Sequence, residues 1–120
     1  MKLAITSAGN SLESNLDQRF GRAAMFIVYD TDTDGFEVID NTQNLEAAQG
    51  AGIQSAQHVV NAGAQACITG HTGPKAFAGL SAAKIPVYLA GPGTVRDAIV
   101  AWRSGSLKQI SGADVEGHWV

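Results

Sequence analysis

The residues of this chain best suited to chemistry fall in two short runs. Gly70-His71-Thr72-Gly73 sets a histidine among glycines, directly before Pro74. Arg19-Phe20-Gly21-Arg22 sets two guanidinium groups on either side of an aromatic and a glycine. The first run reads as a turn from an apolar strand into a new helix. Pro74 suits the first helical position, where its missing N–H costs nothing. The unpaired N–H groups and positive dipole of such a start make a ready anion site. The second run offers fixed cationic forks beside backbone that a ligand can approach closely. A third small-residue loop, Ser7-Ala8-Gly9-Asn10, follows the first apolar run. Together these suit a compact, multiply negative ligand held without covalent bonds. The expected contacts are Ser7, Gly9, Asn10, Arg19, Phe20, Arg22, Gly70, His71, Thr72 and Gly73. Arg19 and Arg22 would neutralise the ligand, the loops at Ser7 to Asn10 and Gly70 to Gly73 would donate backbone N–H groups, and His71 would hydrogen-bond or cap a metal.

Other chemistries find less support. Gly70 to Lys75 lacks the spacing of a phosphate-binding P-loop, and Gly91-Pro92-Gly93 is no dinucleotide fingerprint. No His-x-x-x-His or Cys-x-x-Cys pair occurs. Cys67 sits mid-strand and reads as a small core hydrophobe. His58 precedes Val59-Val60 and reads as a half-buried helix histidine rather than a ligand. His118, beside Trp119, is a weaker candidate for an opportunistic metal contact. Metal-dependent hydrolysis needs carboxylates converging on a cation. Asp30, Glu37 and Asp40 do not end the parallel strands, so a hydrolase is a minor alternative. A protein-binding adaptor with an empty crevice is another.

These candidates must be positioned by an α/β framework. Leu3 to Ser7 has the continuous apolar character of a strand covered on both faces. Leu12 to Arg22 has no clean period and reads as an ordered loop. Met25 to Asp30 and Phe36 to Asp40 form an antiparallel hairpin turned at Asp34-Gly35. Asn41 to Gly52 reads as a mobile loop leading to a helix from about Gly52 to Ala62, with Ile53, Ala56, Val59 and Val60 on its apolar face. Gly63 closes that helix. A strand over Ala66 to Gly70 leads to a helix over Pro74 to Ala83, with Phe77 and Leu80 facing the core. A strand over Ile85 to Ala90 begins at Pro86 or lies at an edge, because proline lacks a ladder donor. Thr94 caps a helix over Val95 to Arg103, with Ile99 and Trp102 on its apolar face. Residues 104–120 read as a tail packed on the domain or flexible. If the three strands beginning near Leu3, Ala66 and Ile85 are parallel neighbours, their following loops converge where open α/β sheets bind ligands.

Composition fits this picture. A chain of 120 residues with 45% hydrophobic and 16% charged content builds one globular domain with a real core. A net charge of −3 without a Lys/Arg run argues against nucleic acid. The 1 cysteine excludes an internal disulfide, and a cysteine-ligated iron–sulfur cluster within one chain, which needs about four thiolates. No run approaches a membrane span, and Met1-Lys2-Leu3-Ala4-Ile5 lacks a signal-peptide core, so a cytoplasmic location is expected.

The runs Met1-Lys2-Leu3-Ala4-Ile5-Thr6, Arg19-Phe20-Gly21-Arg22-Ala23, Gly52-Ile53-Gln54 and Ile68-Thr69-Gly70-His71-Thr72-Gly73-Pro74-Lys75-Ala76-Phe77 resemble the dinitrogenase iron–molybdenum cofactor family. The resemblance covers residues 1–103. It implies a ribonuclease-H-like α/β fold with a mixed five-stranded sheet and flanking helices. It implies binding or carrying of metal–sulfur clusters rather than turnover. Many relatives have histidine where this chain has Arg19, a poor metal ligand but a good anion partner. The chain's length, lone cysteine and Arg19 resemble family members of sulfate-reducing bacteria, which implies a non-covalently held molybdenum–copper sulfide cluster. Other molybdenum- or iron-containing sulfide clusters remain open. The same setting implies MinD-like ATPases as partners.

Overall fold

The computed structural model describes residues 1–42 and 50–113. Six strands form one sheet: β1 (Lys2–Ser7), β2 (Met25–Asp30), β3 (Phe36–Asp40), β4 (Ala66–Thr69), β5 (Val87–Leu89) and β6 (Lys108–Ile110). Among the described residues three helices accompany it: α1 (Ala51–Asn61), α2 (Pro74–Ala82) and α3 (Val95–Arg103). The sheet order is β3-β2-β1-β4-β5-β6. Strands β1, β4 and β5 are adjacent and parallel, while β2, β3 and β6 run antiparallel to their neighbours.

Alternation along the strands supplies two cores. Leu3, Ile5, Ile27, Tyr29 and Ile68 point to the face covered by Val95, Ala98 and Ile99 of α3. Ala4, Phe26, Cys67 and Val87 point to the face covered by Ala56 and Val59 of α1 and Ala76 and Leu80 of α2. Strand β1 is therefore buried on both sides, which is why it reads as continuously apolar. Helices α1 and α2 approach closely because small residues meet: a Cβ on Gly52 would stand 3.2 Å from that of Ala76, and one on Gly79 3.3 Å from that of Ala56.

Three expectations need correction. The sheet has six strands, not five, because Lys108–Ile110 pairs with β5. In α1 the buried face is Ala51, Gly52, Ser55, Ala56 and Val59, while Ile53 is 53% and Val60 36% exposed. Close packing on α2 favours the small residues over the large ones. The strand after α2 is only Val87–Leu89, and it is interior because β6 covers its far side. Pro86 lies just before it, where its carbonyl accepts the Cys67 N–H at 2.9 Å.

Other expectations hold. The Met25–Asp30 and Phe36–Asp40 hairpin has the expected bounds, with Asp34 in a left-handed conformation. Gly63 follows α1 at φ +77°, donating to Val60 O at 3.0 Å. Thr94 caps α3 with Asp97 as its reciprocal partner. Leu80 is buried and Phe77 packs against the same core. Residues 43–49 of the expected mobile loop, and His118 and Trp119, lie outside the described residues.

Candidate functional site

Because β1, β4 and β5 are parallel neighbours, Ser7, Thr69 and Leu89 end on one edge of the sheet. The loop from Ala8 to Ala24 folds back across that edge. Leu16 bridges Ser7, Asn15 bridges Thr94, and Arg19 bridges His71. The Asp17 N–H donates to Thr6 O at 3.0 Å, and the Thr6 hydroxyl donates to Asp17 O at 2.6 Å. Thr6 and Thr69 hydroxyls meet at 3.0 Å beneath the loop. These bonds make the loop an extension of the sheet rather than a free excursion.

The two predicted runs meet directly. The Phe20 N–H donates to the His71 carbonyl at 3.0 Å. This sets exposed Arg19 beside half-buried His71. Phe20 is wholly buried, its ring 5.3 Å from that of Phe26 and tilted by 54°. Burying such a ring is worth about 2–3 kcal/mol. Phe20 therefore anchors the arginine segment and presents no surface of its own. Half-buried Arg22 follows buried Gly21. Gly70 is buried under Gln18, and Thr72 and Gly73 are buried at the start of α2. That helix opens with Gly73 and Pro74 and has no side-chain cap.

The first loop is spent differently. The Ala8 N–H donates to Asn15 O at 2.9 Å, and the Gly9 N–H to the Ser7 hydroxyl at 3.2 Å. Ser7 in turn donates to Gly9 O at 2.7 Å. These two N–H groups therefore hold the loop's own shape, and Ala8 and Asn10 are its exposed members. The start of α3 is similarly satisfied. Val95 N–H donates to Ser14 O at 2.9 Å, Arg96 N–H to Leu12 O at 2.8 Å and Asp97 N–H to Thr94 Oγ1 at 3.1 Å. Of the two helix starts at this edge, α2 is the one suited to an anion.

A support that sequence reasoning missed lies under the arginine segment. Asn41, wholly buried, donates to Ala23 O at 2.8 Å and to the Ser55 hydroxyl at 3.1 Å. Ser55 donates to Gly21 O at 3.1 Å. His58 Nδ1 donates to Asn41 Oδ1 at 2.8 Å, so this half-buried helix histidine serves the support rather than a ligand. Two buried polar residues, Asn41 just past β3 and Ser55 on α1, thus grip both carbonyls that bracket Arg22. A polar residue just past a strand and a serine among helix alanines were the available signals, and neither specifies a partner.

The remaining ionisable groups lie apart. Cys67 is fully buried, and burial pushes its thiol far above the ordinary range. Asp17 is committed to the Arg19 N–H at 3.1 Å. Asp30 pairs with Lys2 at one end of β1, whereas Asp40 pairs with Met25 at the other. Among the described residues no three His, Cys, Asp or Glu side chains gather where they could hold a metal ion. A cavity of about 420 Å³ between Phe77, Lys84, Pro86 and Ile110 sits at the starting end of β5, opposite the loops just described.

The sequence profile of the family described as dinitrogenase iron-molybdenum cofactor matches residues 1–105. The chain belongs to that family. The apo form of the orange protein from Desulfovibrio gigas is 40% identical, with 95% of this chain and 96% of that one covered and a TM-score of 0.90. A NifB-like protein from Thermotoga is 38% identical over 97% of this chain and 98% of its own, at a TM-score of 0.85. An uncharacterised protein of Methanocaldococcus jannaschii is 29% identical, with 92% of each chain covered. No helix among the described residues is long and apolar enough to cross a membrane.

Proposed function

We propose that this chain binds or carries an anionic metal–sulfur cluster without turning it over, on a ribonuclease-H-like scaffold. The cluster we infer is a molybdenum–copper sulfide, held without covalent attachment as cargo. The observation that carries this reading is the junction of the two cationic and glycine-rich runs, where Phe20 N–H bonds His71 O at 3.0 Å. The donor set suits such a cargo. Guanidinium forks and N–H groups at the α2 start recognise a delocalised anion through charge-assisted hydrogen bonds. The lone thiol is buried and protonated, so it offers no thiolate. In this reading Arg19, Arg22, His71, Asn10 and the Gly70 to Gly73 backbone face the cargo. Phe20, Ser7 and Gly9 hold that surface in shape. The domain is residues 1–103 with a tail that packs on it through β6, the location is the cytoplasm, and MinD-like ATPases are the partners that the family resemblance supplies.

Reconstitution tests the reading. The purified chain is mixed with tetrathiomolybdate and copper, desalted, and read by metal analysis and visible absorption. Saturable charge-transfer absorption with molybdenum and copper in fixed ratio is expected. Uptake undiminished in the Arg19→Ala, His71→Ala double variant would overturn the site. Absence of any uptake would favour a protein-binding adaptor.

A further inference from the structure

Two lysines bracket α2, and only one of them sits where the helix favours it. A cation is stabilised at a helix C-terminus, where the dipole is negative, and opposed in the first turn, where it is positive. Lys84 follows the last turn in a left-handed conformation, its N–H donating to Ser81 O at 2.9 Å. That is the favourable end. Lys75 follows Pro74 in the first turn, the unfavourable end. Helix α3 shows the ordinary polarity, with Asp97 in its first turn and Arg103 in its last.

Among the described residues no anion offsets the charge of Lys75. It is exposed and makes no ion pair with them. The first turn of α2 holds no acidic residue and its start has no side-chain cap. Helix α1 runs beside α2 in the same direction, since Gly52 approaches Ala76 and Ala56 approaches Gly79. Its start, equally without an acid or a side-chain cap, adds a second positive dipole end at this edge. No aspartate or glutamate occurs in the sequence between Glu46 and Asp97. A further cation arrives from a different element, where Arg19 bridges His71 just before the helix. Of the carboxylates on that loop, Asp17 accepts the Arg19 N–H at 3.1 Å and Glu13 pairs with Arg96. Like charges gathered in this way destabilise the empty protein, and a bound anion reverses the sign of their effect.

We propose that Lys75 is a direct contact of the anionic cargo, a further cation on the α2 side of the site, held there although it destabilises the empty chain. The inference rests on the cluster reading of that site. The lysine ammonium is a compact charge on a flexible stem, so it complements the planar, fixed fork of Arg19.

Lysine and glutamine have similar helix propensities, so Lys75→Gln removes the charge and little else. The full chain and its Lys75→Gln, Lys75→Glu and Lys84→Gln variants are compared empty, by thermal unfolding at low salt, and then by uptake of tetrathiomolybdate and copper. Empty Lys75→Gln should unfold about 1–4 °C above the parent, and Lys75→Glu higher still. Lys84→Gln should unfold slightly below the parent, because it loses a favourable charge at the other end of the helix. Uptake should weaken about tenfold in Lys75→Gln, further in Lys75→Glu, and stay at the parent level in Lys84→Gln. A lowered midpoint in Lys75→Gln would make the lysine a support of the fold, and undiminished uptake would remove it from the site; either overturns the proposal. A parent chain that takes up no molybdenum or copper overturns it together with the cluster reading. Uptake by the parent that is matched by both Lys75 variants overturns the Lys75 assignment alone.

Discussion

Gln18 crosses Gly70 so closely that a Cβ on Gly70 would stand 2.7 Å from the Gln18 Cα and 2.7 Å from its carbonyl oxygen. The strand-to-helix turn after β4 and the loop carrying the arginines are therefore in backbone contact, and only glycine permits it. Gly70→Ala must push the loop away or distort the turn. A loss of about 1–3 kcal/mol in unfolding free energy is expected, as for overpacked sites. Gly91, in a neighbouring turn, has nothing within 4 Å of a built Cβ. Gly91→Ala is the matched control and should stay within about 0.5 kcal/mol of the parent. Equal denaturation midpoints for the two variants would contradict the close crossing.

The buried support beneath Arg22 makes a second prediction. Ser55→Ala removes the hydroxyl that donates to Gly21 O at 3.1 Å and receives Asn41 Nδ2. Losing a buried partner costs about 1–3 kcal/mol. Hydrogen exchange should accelerate selectively at residues 19–24, because their carbonyls lose a grip. Gln57→Ala, on the exposed face of α1, breaks only the Asn61 side-chain bond and should be near neutral. Uniform acceleration across the chain in Ser55→Ala would mean that the residue serves stability alone.

How much of this was readable follows from where each signal resides. The hairpin bounds were legible because β-branched and aromatic residues flank Asp34-Gly35. Helix α3 was legible because Thr94 and Asp97 stand at the capping spacing. Strand β6 was not, since Lys108-Gln109-Ile110 is short and mostly exposed, and its pairing partner lies across the fold. The candidate site divides the same way. Arg19, His71 and the glycines announced themselves by type and spacing. Their junction is made by main-chain atoms of Phe20 and His71, which no side-chain pattern encodes. Phe20 looked like a contact residue because it lies between arginines, but its ring belongs to the core.

Cys67 supplies a pH prediction. Burial raises its thiol in the folded state, while an unfolded thiol ionises near pH 8.5–9. Above that range the unfolded chain holds fewer protons than the native one, so stability falls as pH rises. The slope from one such group reaches about 1.4 kcal/mol per pH unit. Below about pH 8 it contributes no slope. Cys67→Ala should therefore show a flatter alkaline stability profile than the parent, in parallel denaturations from neutral pH upward. Identical slopes would place the thiol in contact with water. The native thiol should also resist alkylation that proceeds readily in denaturant.

Arg19 separates binding from folding. Its side chain is exposed, so Arg19→Ala should leave the unfolding midpoint within about 0.5 kcal/mol of the parent. If it neutralises an anionic cluster, the same change should weaken cluster uptake about tenfold to a hundredfold, the worth of a hydrogen bond to a charged group. Arg19→Lys retains the charge but loses the planar fork, and should fall between the two. Salt discriminates further, because an interaction made at the surface is screened by ions. Cluster affinity of the parent should drop as ionic strength rises, and that of Arg19→Ala should drop less steeply. Affinity measured by competitive chelation across a salt series gives both slopes. Parallel slopes with equal affinities would remove Arg19 from the site and leave the α2 start and Arg22 to hold the charge.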